Sequence, residues 1–314
     1  MSGHILILGA AGRCGHAAAE AFRDAGWSVA SLVRPGAAAR AAARTQIVEA
    51  NALDGEAVIK AAHGSDLVLH ALNPPYTDWS RLALPLADVA VAAAQAAGAT
   101  LLLPGNLYNY GAAMPPTLDE DTPMRPSSRK GAIRVRIEER LREAASSGLR
   151  VIVLRAGDFY GGGGTGSWFD RILVKDLAHG RVTYPGPLDV VHEWAYLPDF
   201  AVACVRLAEA RGALSSYETF GFPGHAVTGR EFVRVIARAM GRDLRVSRMP
   251  WWLLRAAGPL VPIFRELAEL AYLWQTPHRI AGDKLEDVIG DIPRTPLAEA
   301  VAAALRALGF RTRL

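Results

Sequence analysis

Residues 5–15 read Ile5-Leu6-Ile7-Leu8-Gly9-Ala10-Ala11-Gly12-Arg13-Cys14-Gly15. Four apolar residues in a row predict a short strand covered on both faces. The Gly-x-x-Gly-x-x-Gly after it predicts a tight turn, and the Ala-rich run that follows predicts a helix. In that setting the glycines let the backbone bend sharply and approach a pyrophosphate. The free N–H groups and positive end of the new helix then face the anion. The stretch predicts a dinucleotide site built by Gly9, Ala11, Gly12, Arg13, Cys14 and Gly15. The alternative is an ordinary tight turn from strand to helix.

The alternation that follows favours the dinucleotide. Further strands are predicted over 28–33, 46–49, 66–71, 100–104 and 150–155, with helices near 14–25, 36–44, 55–62, 80–97 and 130–147. Short apolar strands separated by helices predict an α/β fold: a Rossmann-type, doubly wound parallel sheet with ligands at the carboxyl ends of its strands. After Tyr160 the texture changes, through Gly161 to Gly164, toward a helix ending near Ala178 and another over 198–211. The last hundred residues read as helical with one or two short strands. The expected division is a nucleotide-binding core over 1–160 with returning segments near 188–222. Residues 161–187 and 223–314 then form a smaller, mostly helical substrate lobe that is not separable from it.

An NAD-preferring site carries an Asp or Glu at the end of the second strand. Here that end reads Ser31-Leu32-Val33-Arg34-Pro35, with no carboxylate. Arg13 and Arg34 are instead expected to flank a 2′-phosphate, which guanidiniums match bidentately. NADP(H) is therefore preferred over NAD(H); the alternative leaves Arg34 merely solvated. Asn51, Leu72, Asn73, Pro104 and Lys130, at strand ends and at a helix start, complete the expected cofactor contacts.

Composition bounds the rest. The chain has 314 residues, 51% hydrophobic and 21% charged, which suffices for a large core. Its net charge is only +4 with no basic cluster, so nucleic acid is not implied. The opening Met1-Ser2-Gly3-His4 lacks a basic stretch and the apolar run after it is short, against a secretory leader. Cys14 and Cys204 are lone thiols, suiting a reducing cytoplasm and neither disulfide nor metal. Residues 251–274 are strongly apolar, but Arg255, Pro259, Pro262, Arg265, Glu266 and Glu269 interrupt them, so no bilayer span is expected. Core or pocket packing, a dimer face and contact with a membrane surface remain open for that stretch, with no membrane partner the working expectation.

With these residues in view, the chain resembles the short-chain dehydrogenase/reductase superfamily, in its extended, NAD-dependent epimerase/dehydratase-like branch. Besides the glycine turn, the resemblance rests on Gly105-Asn106-Leu107-Tyr108-Asn109-Tyr110-Gly111, on Arg155-Ala156-Gly157-Asp158-Phe159-Tyr160-Gly161 and on Trp194-Ala195-Tyr196-Leu197-Pro198-Asp199. The catalytic pattern departs from the family. Asn106 stands where a Ser or Thr is usual, and the Tyr-x-x-x-Lys pair is replaced by Lys130 and Arg134. The segment Lys130-x-x-x-Arg134-x-x-x-Glu138 is similar to one in isoflavone and pinoresinol-lariciresinol reductases. That likeness implies Lys130 as the general acid/base.

Lys130 and Arg134 are four apart on a predicted helix and share a face. An ammonium starts protonated, so Lys130 suits a reductive step, giving its proton as hydride arrives, better than an oxidative one. The expected reaction is reduction, by NADPH, of a carbonyl or a conjugated C=C or C=N bond, with Lys130 as donor and Arg134 holding the nicotinamide ribose. Asn106 is expected to hydrogen-bond the substrate oxygen, and Tyr108 is the alternative acid. Lys130 as a solvated residue or a cofactor ligand, and His192 as a contact, a base or a structural histidine, stay open. Tyr76, Trp79, Asp158, Phe159, Trp168 and His192 are the expected substrate contacts. They form an aromatic pocket suited to a small, moderately apolar molecule, although Arg171 and Lys175 leave an anionic one open. An epimerase or dehydratase of nucleotide sugars with retained cofactor, and a non-catalytic redox sensor, are the alternatives. The resemblance also implies a homodimer through helices 80–97 and 130–147.

Overall fold

The structure, a computed structural model, describes residues 3–313, so Met1 and Ser2 of the opening lie outside it. The strands are β1 (His4–Leu8), β2 (Ser28–Val33), β3 (Gln46–Glu49), β4 (Leu67–His70), β5 (Thr100–Gly105), β6 (Thr117–Leu118), β7 (Val151–Arg155), β8 (Asp158–Tyr160), β9 (Arg181–Tyr184), β10 (Val191–Tyr196), β11 (Tyr217–Gly221), β12 (His225–Thr228), β13 (Arg245–Arg248) and β14 (Arg279–Ile280). The helices are α1 (Arg13–Asp24), α2 (Gly55–Ala62), α3 (Trp79–Ala97), α4 (Arg129–Ser146), α5 (Leu197–Ala210), α6 (Gly229–Met240), α7 (Trp251–Ala257), α8 (Pro262–Ala268), α9 (Asp283–Ile289) and α10 (Leu297–Ala307).

Seven strands form one parallel sheet in the order β11-β7-β5-β4-β1-β2-β3. Alternate residues of a strand point to opposite faces, and both faces are covered. Ile5 and Ile7 join Phe22 of α1 and Phe200 of α5 in one core layer. Leu6 and Leu8 join Val58, Val91 and Leu141, from α2, α3 and α4, in the other. The order reverses between β1 and β4, and that switch point opens a crevice at the carboxyl ends of the strands.

The expected doubly wound sheet is what forms. Three local readings are corrected. Residues 36–44 make a single 3₁₀ turn at Ala38–Arg40 in place of a helix. Only Ala42 of that stretch is fully buried, and a short helix with no face to pack is marginal. The helix expected to end near Ala178 is two separate turns, Phe169–Leu173 and Leu177–His179. Before the first of them, Asp170 accepts hydrogen bonds from the backbone N–H groups of Gly166 and Ser167, at 2.5 and 2.9 Å. The last hundred residues carry four strands, β11 to β14, and β11 completes the central sheet beside β7.

A further hydrophobic core buries Trp168, Trp194, Phe232, Trp251, Trp274 and Leu305 together with Trp79, Leu107 and Tyr108. Small sheets frame it: β12-β10-β8, β13-β9 and β14-β6.

Candidate active site

The glycine turn sits at the end of β1 and is shaped by contacts only glycine permits. Gly9 has φ +88° and lies against the Ala71 backbone, with Leu72 beside it. A side chain on Gly15 would put its Cβ 2.4 Å from the Gly9 carbonyl oxygen. Gly12 is the N-cap of α1 and offers no capping side chain. The first helical bond runs from His16 N–H to Gly12 O, at 2.8 Å. The N–H groups of Arg13, Cys14 and Gly15 are thus left without helical acceptors, the arrangement that receives an anion. Burial pushes the Cys14 thiol up to about 12, against the pull of Arg13 and Arg134, so it stays protonated.

Of the two arginines expected to flank a 2′-phosphate, Arg13 is engaged within the chain. Arg13 donates to Asp170 Oδ1 at 3.2 Å and to the Gly161 carbonyl at 2.6 Å, fastening the turn to the 161–173 segment. Its charge is spent on a carboxylate whose presence β2 could not reveal. Arg34 stands exposed at the end of β2. Asn51 uses its Oδ1 on the Leu53 N–H in a local turn, at 3.1 Å. Asn73 is exposed, and Pro104 lies in β5 opposite Leu154.

The expected catalytic residues gather past β4 and β5. Ser128 caps α4 by accepting from the Gly131 N–H at 3.0 Å. Lys130, in the first turn, is 1% exposed. Its ammonium is gripped by Glu266 Oε2 and lies 2.9 Å from Glu269 Oε2. Burial alone would raise the Glu266 carboxyl, but the hydrogen bond and charge of Lys130, with Arg129, hold it below its ordinary value. Arg129 adds a 2.9 Å bond to Glu266 and its backbone N–H to Glu269. Sequence reasoning missed both glutamates: the spacing that puts them on one side of the chain was visible, their target was not. The charge expected beside Lys130 was that of Arg134 alone; the nearest charges are carboxylates.

Arg134 makes no ion pair among the described residues. Its guanidinium lies 4.8 Å from the Trp79 ring centre, and its Nε is buried with no hydrogen-bond partner. Burial works against its charge, opposed by Tyr108 and Glu138. The hydroxyls of Tyr76 and Tyr108 are 2.8 Å apart. Burial pushes Tyr76 up to about 12 and Tyr108 well above its ordinary value, so ionising either phenol is costly. Asn106 Oδ1 accepts from the Tyr108 N–H at 3.1 Å, leaving its amide nitrogen to donate.

One of the expected substrate contacts lies elsewhere. Alternation along β8 turns Phe159 away from Asp158, and its ring packs 4.9 Å from Phe200 in the core behind the sheet. Trp168 is buried between Trp251 and Trp274. Asp158 and His192 do meet, Oδ2 to Nε2 at 2.9 Å, and the imidazole lies flat on Trp274 with ring centres 4.1 Å apart. Glu138, read only as a spacing marker, is the centre of a buried network. It accepts from Asn109 at 2.7 Å and from Arg155 at 2.6 Å, and Arg155 also bonds the Tyr110 hydroxyl at 3.0 Å.

A parallel sheet with a glycine turn at its switch point and an open helix N-terminus beside it defines an α/β protein of the Rossmann type. The profile of the NAD dependent epimerase/dehydratase family matches residues 5–220, and the chain belongs to that family. A search of curated proteins finds no match. Among solved structures, UDP-glucose 4-epimerase from Brucella ovis, in complex with NAD, is similar at 16% identity and TM-score 0.79, over 99% of this chain and 100% of that one. UDP-glucose 4-epimerase from Bifidobacterium longum, in complex with NAD+ and UDP, gives 14% identity and TM-score 0.77, over 98% of each chain. The Bordetella bronchiseptica enzyme WbmH, in complex with NAD+, gives 18% and 0.74, over 98% of this chain and 99% of that one. At these identities the likeness shows the shared fold.

Proposed function

We propose that this protein binds NADP(H) on the glycine turn and reduces a carbonyl, or a conjugated C=C or C=N bond, in a small, moderately apolar molecule. One observation carries the reading: Arg134 interacts with Cys14 of the glycine turn and with Tyr76 and Tyr108, and the Lys130 ammonium lies 5.2 Å from the centre of the same Tyr76 ring. The orphaned Arg134 Nε fits the ribose and phosphate oxygens of a dinucleotide.

A bound nicotinamide supplies the hydride. Lys130 has three N–H donors, two of them held by Glu266 and Glu269, and the third is directed to the substrate. That hydrogen passes to the atom left electron-rich, and the vacated nitrogen takes a proton back from water. Asn106 orients the substrate oxygen through its amide nitrogen. Lys130 is preferred to Tyr108 because burial makes a phenolate costly at that position. With Arg13 committed to Asp170, selection of the 2′-phosphate falls to Arg34.

The test is a paired titration of nucleotide-stripped protein with NADPH and NADH, followed by a carbonyl screen. Micromolar NADPH binding with much weaker NADH binding, and NADPH consumption abolished in Lys130→Met, support the reading. Preference for NADH overturns the role of Arg34. Cofactor that cannot be stripped and cycles without net consumption favours an epimerase or dehydratase instead. Binding without turnover on any carbonyl favours a sensor.

A further inference from the structure

The outer side of the α7–α8 hairpin is the most apolar exposed surface among the described residues. Nine large hydrophobic side chains are exposed there and elsewhere, and five fall within 246–263: Val246 (40%), Trp252 (71%), Leu253 (46%), Leu260 (87%) and Ile263 (40%). The hairpin is not loose. Trp251 and Leu254 are buried on its inner side, Trp251 Nε1 donates to the Pro185 carbonyl at 2.6 Å, and α8 is pinned through Glu266 to Lys130 and Arg129. A rigid hairpin that keeps its tip and outer face apolar displays them.

Charge distinguishes what that face meets. From Leu244 to Arg265 the chain carries four arginines and no acidic residue. Arg245, Arg248 and Arg255 are exposed and form no ion pair among the described residues. A second copy of this chain, docked through a two-fold contact, would set these arginines against their own images. An anionic lipid surface offers phosphates to the guanidiniums and an acyl boundary to Trp252 and Leu260, the residue types that anchor interfacial segments.

We infer that the α7–α8 hairpin, with the preceding strand β13, docks this protein on anionic membrane surfaces. Contact is peripheral, since no helix among the described residues is long and apolar enough to span. The sequence alone left membrane contact as one reading of this stretch and set no membrane among the partners; the exposed face argues for contact without a span.

The experiment sediments the full chain with vesicles of phosphatidylcholine alone and with vesicles containing equal phosphatidylglycerol. Binding to the anionic vesicles only, weakened by high salt, is expected. The Trp252→Ser/Leu260→Ser variant should retain its thermal midpoint and bind about tenfold more weakly or worse. Arg248→Glu/Arg255→Glu should lose the preference for anionic lipid. No binding to either vesicle overturns the inference, as does unchanged binding by the apolar variant. A dimer that the apolar variant dissociates, with no vesicle binding by the wild type, assigns the face to a second copy and equally overturns it.

Discussion

Tyr76 and Tyr108, 32 residues apart in sequence, share a hydrogen bond of 2.8 Å between hydroxyls carried on turns beyond two neighbouring strands, β4 and β5. One phenol donates and the other accepts, so one hydroxyl hydrogen at most is left for a substrate. Burial raises both, which makes the pair a neutral platform and leaves acid chemistry to Lys130.

Lys130→Met should abolish turnover and spare NADPH binding. It also removes the buried cation from Glu266 and Glu269 and leaves them only exposed arginines as counter-charges, which costs up to about 3–5 kcal/mol, the value for a broken buried pair. The combined variant Lys130→Met/Glu266→Gln/Glu269→Gln should regain most of the thermal midpoint while remaining inactive. Activity in either variant would remove Lys130 from the mechanism.

Arg34→Ala should weaken NADPH by about tenfold or more, the value of one charge-assisted contact, and leave NADH unchanged. Arg13→Ala should weaken both cofactors alike, because Arg13 fastens the turn to Asp170 and Gly161. Fluorescence titration separates the two patterns. Equal losses for NADPH and NADH in Arg34→Ala contradict the assignment.

Gly15→Ala should weaken dinucleotide binding severely. Its Cβ meets the Gly9 carbonyl oxygen at 2.4 Å, so the turn must open. A loss on the order of a hundredfold, about 3 kcal/mol, is expected in the same titration. An unchanged dissociation constant would mean the dinucleotide does not rest on this turn.

Glu193 and His278 give stability opposite dependences on pH. Burial raises the Glu193 carboxyl from 4.5 to about 7, against the backbone N–H groups of Ile280 and Gly224. Its contribution is therefore fully present below the unfolded value and is lost as pH rises through about 7, by on the order of 3 kcal/mol. Burial, aided by His192, lowers His278 from 6.5 to about 3, so its contribution is present above 6.5 and lost as pH falls toward 3. Thermal midpoints between about pH 4 and pH 8 test both. Wild type should gain on Glu193→Gln as pH falls from about 8 to 5, and lose ground to His278→Asn as pH falls below about 6.5. Differences that stay flat would contradict the burial argument.

Much of the fold was legible because its signals are local. An apolar run followed by three spaced glycines specifies strand, turn and helix within a dozen residues, and the inner strands β4, β5 and β7 announce themselves by burial on two faces. The turn at Ala38–Arg40 escaped because an Ala/Arg run has helical propensity but no apolar face to bury. The site was legible only in part. Lys130, Arg134, Tyr76 and Tyr108 come together as ends of adjacent strands and a helix must. Glu266 and Glu269 come from 136 and 139 residues away, and Asp170 reaches Arg13 across 157, distances at which no sequence periodicity points. Phe159 was misplaced for a simpler reason: alternation along β8 puts it on the opposite side from Asp158.

Those separations also set an order of assembly as the chain leaves the ribosome. The glycine turn and its supporting strands β1, β2 and β4 are complete once residue 70 has emerged, whereas Lys130 acquires its counter-charges only when residue 269 follows. A product cut short after Lys130 and before Glu266 keeps the nucleotide fingerprint and carries the Lys130 ammonium without its counter-charges. On the proposed function, nucleotide binding is thus a poor indicator of a finished molecule, and turnover a strict one.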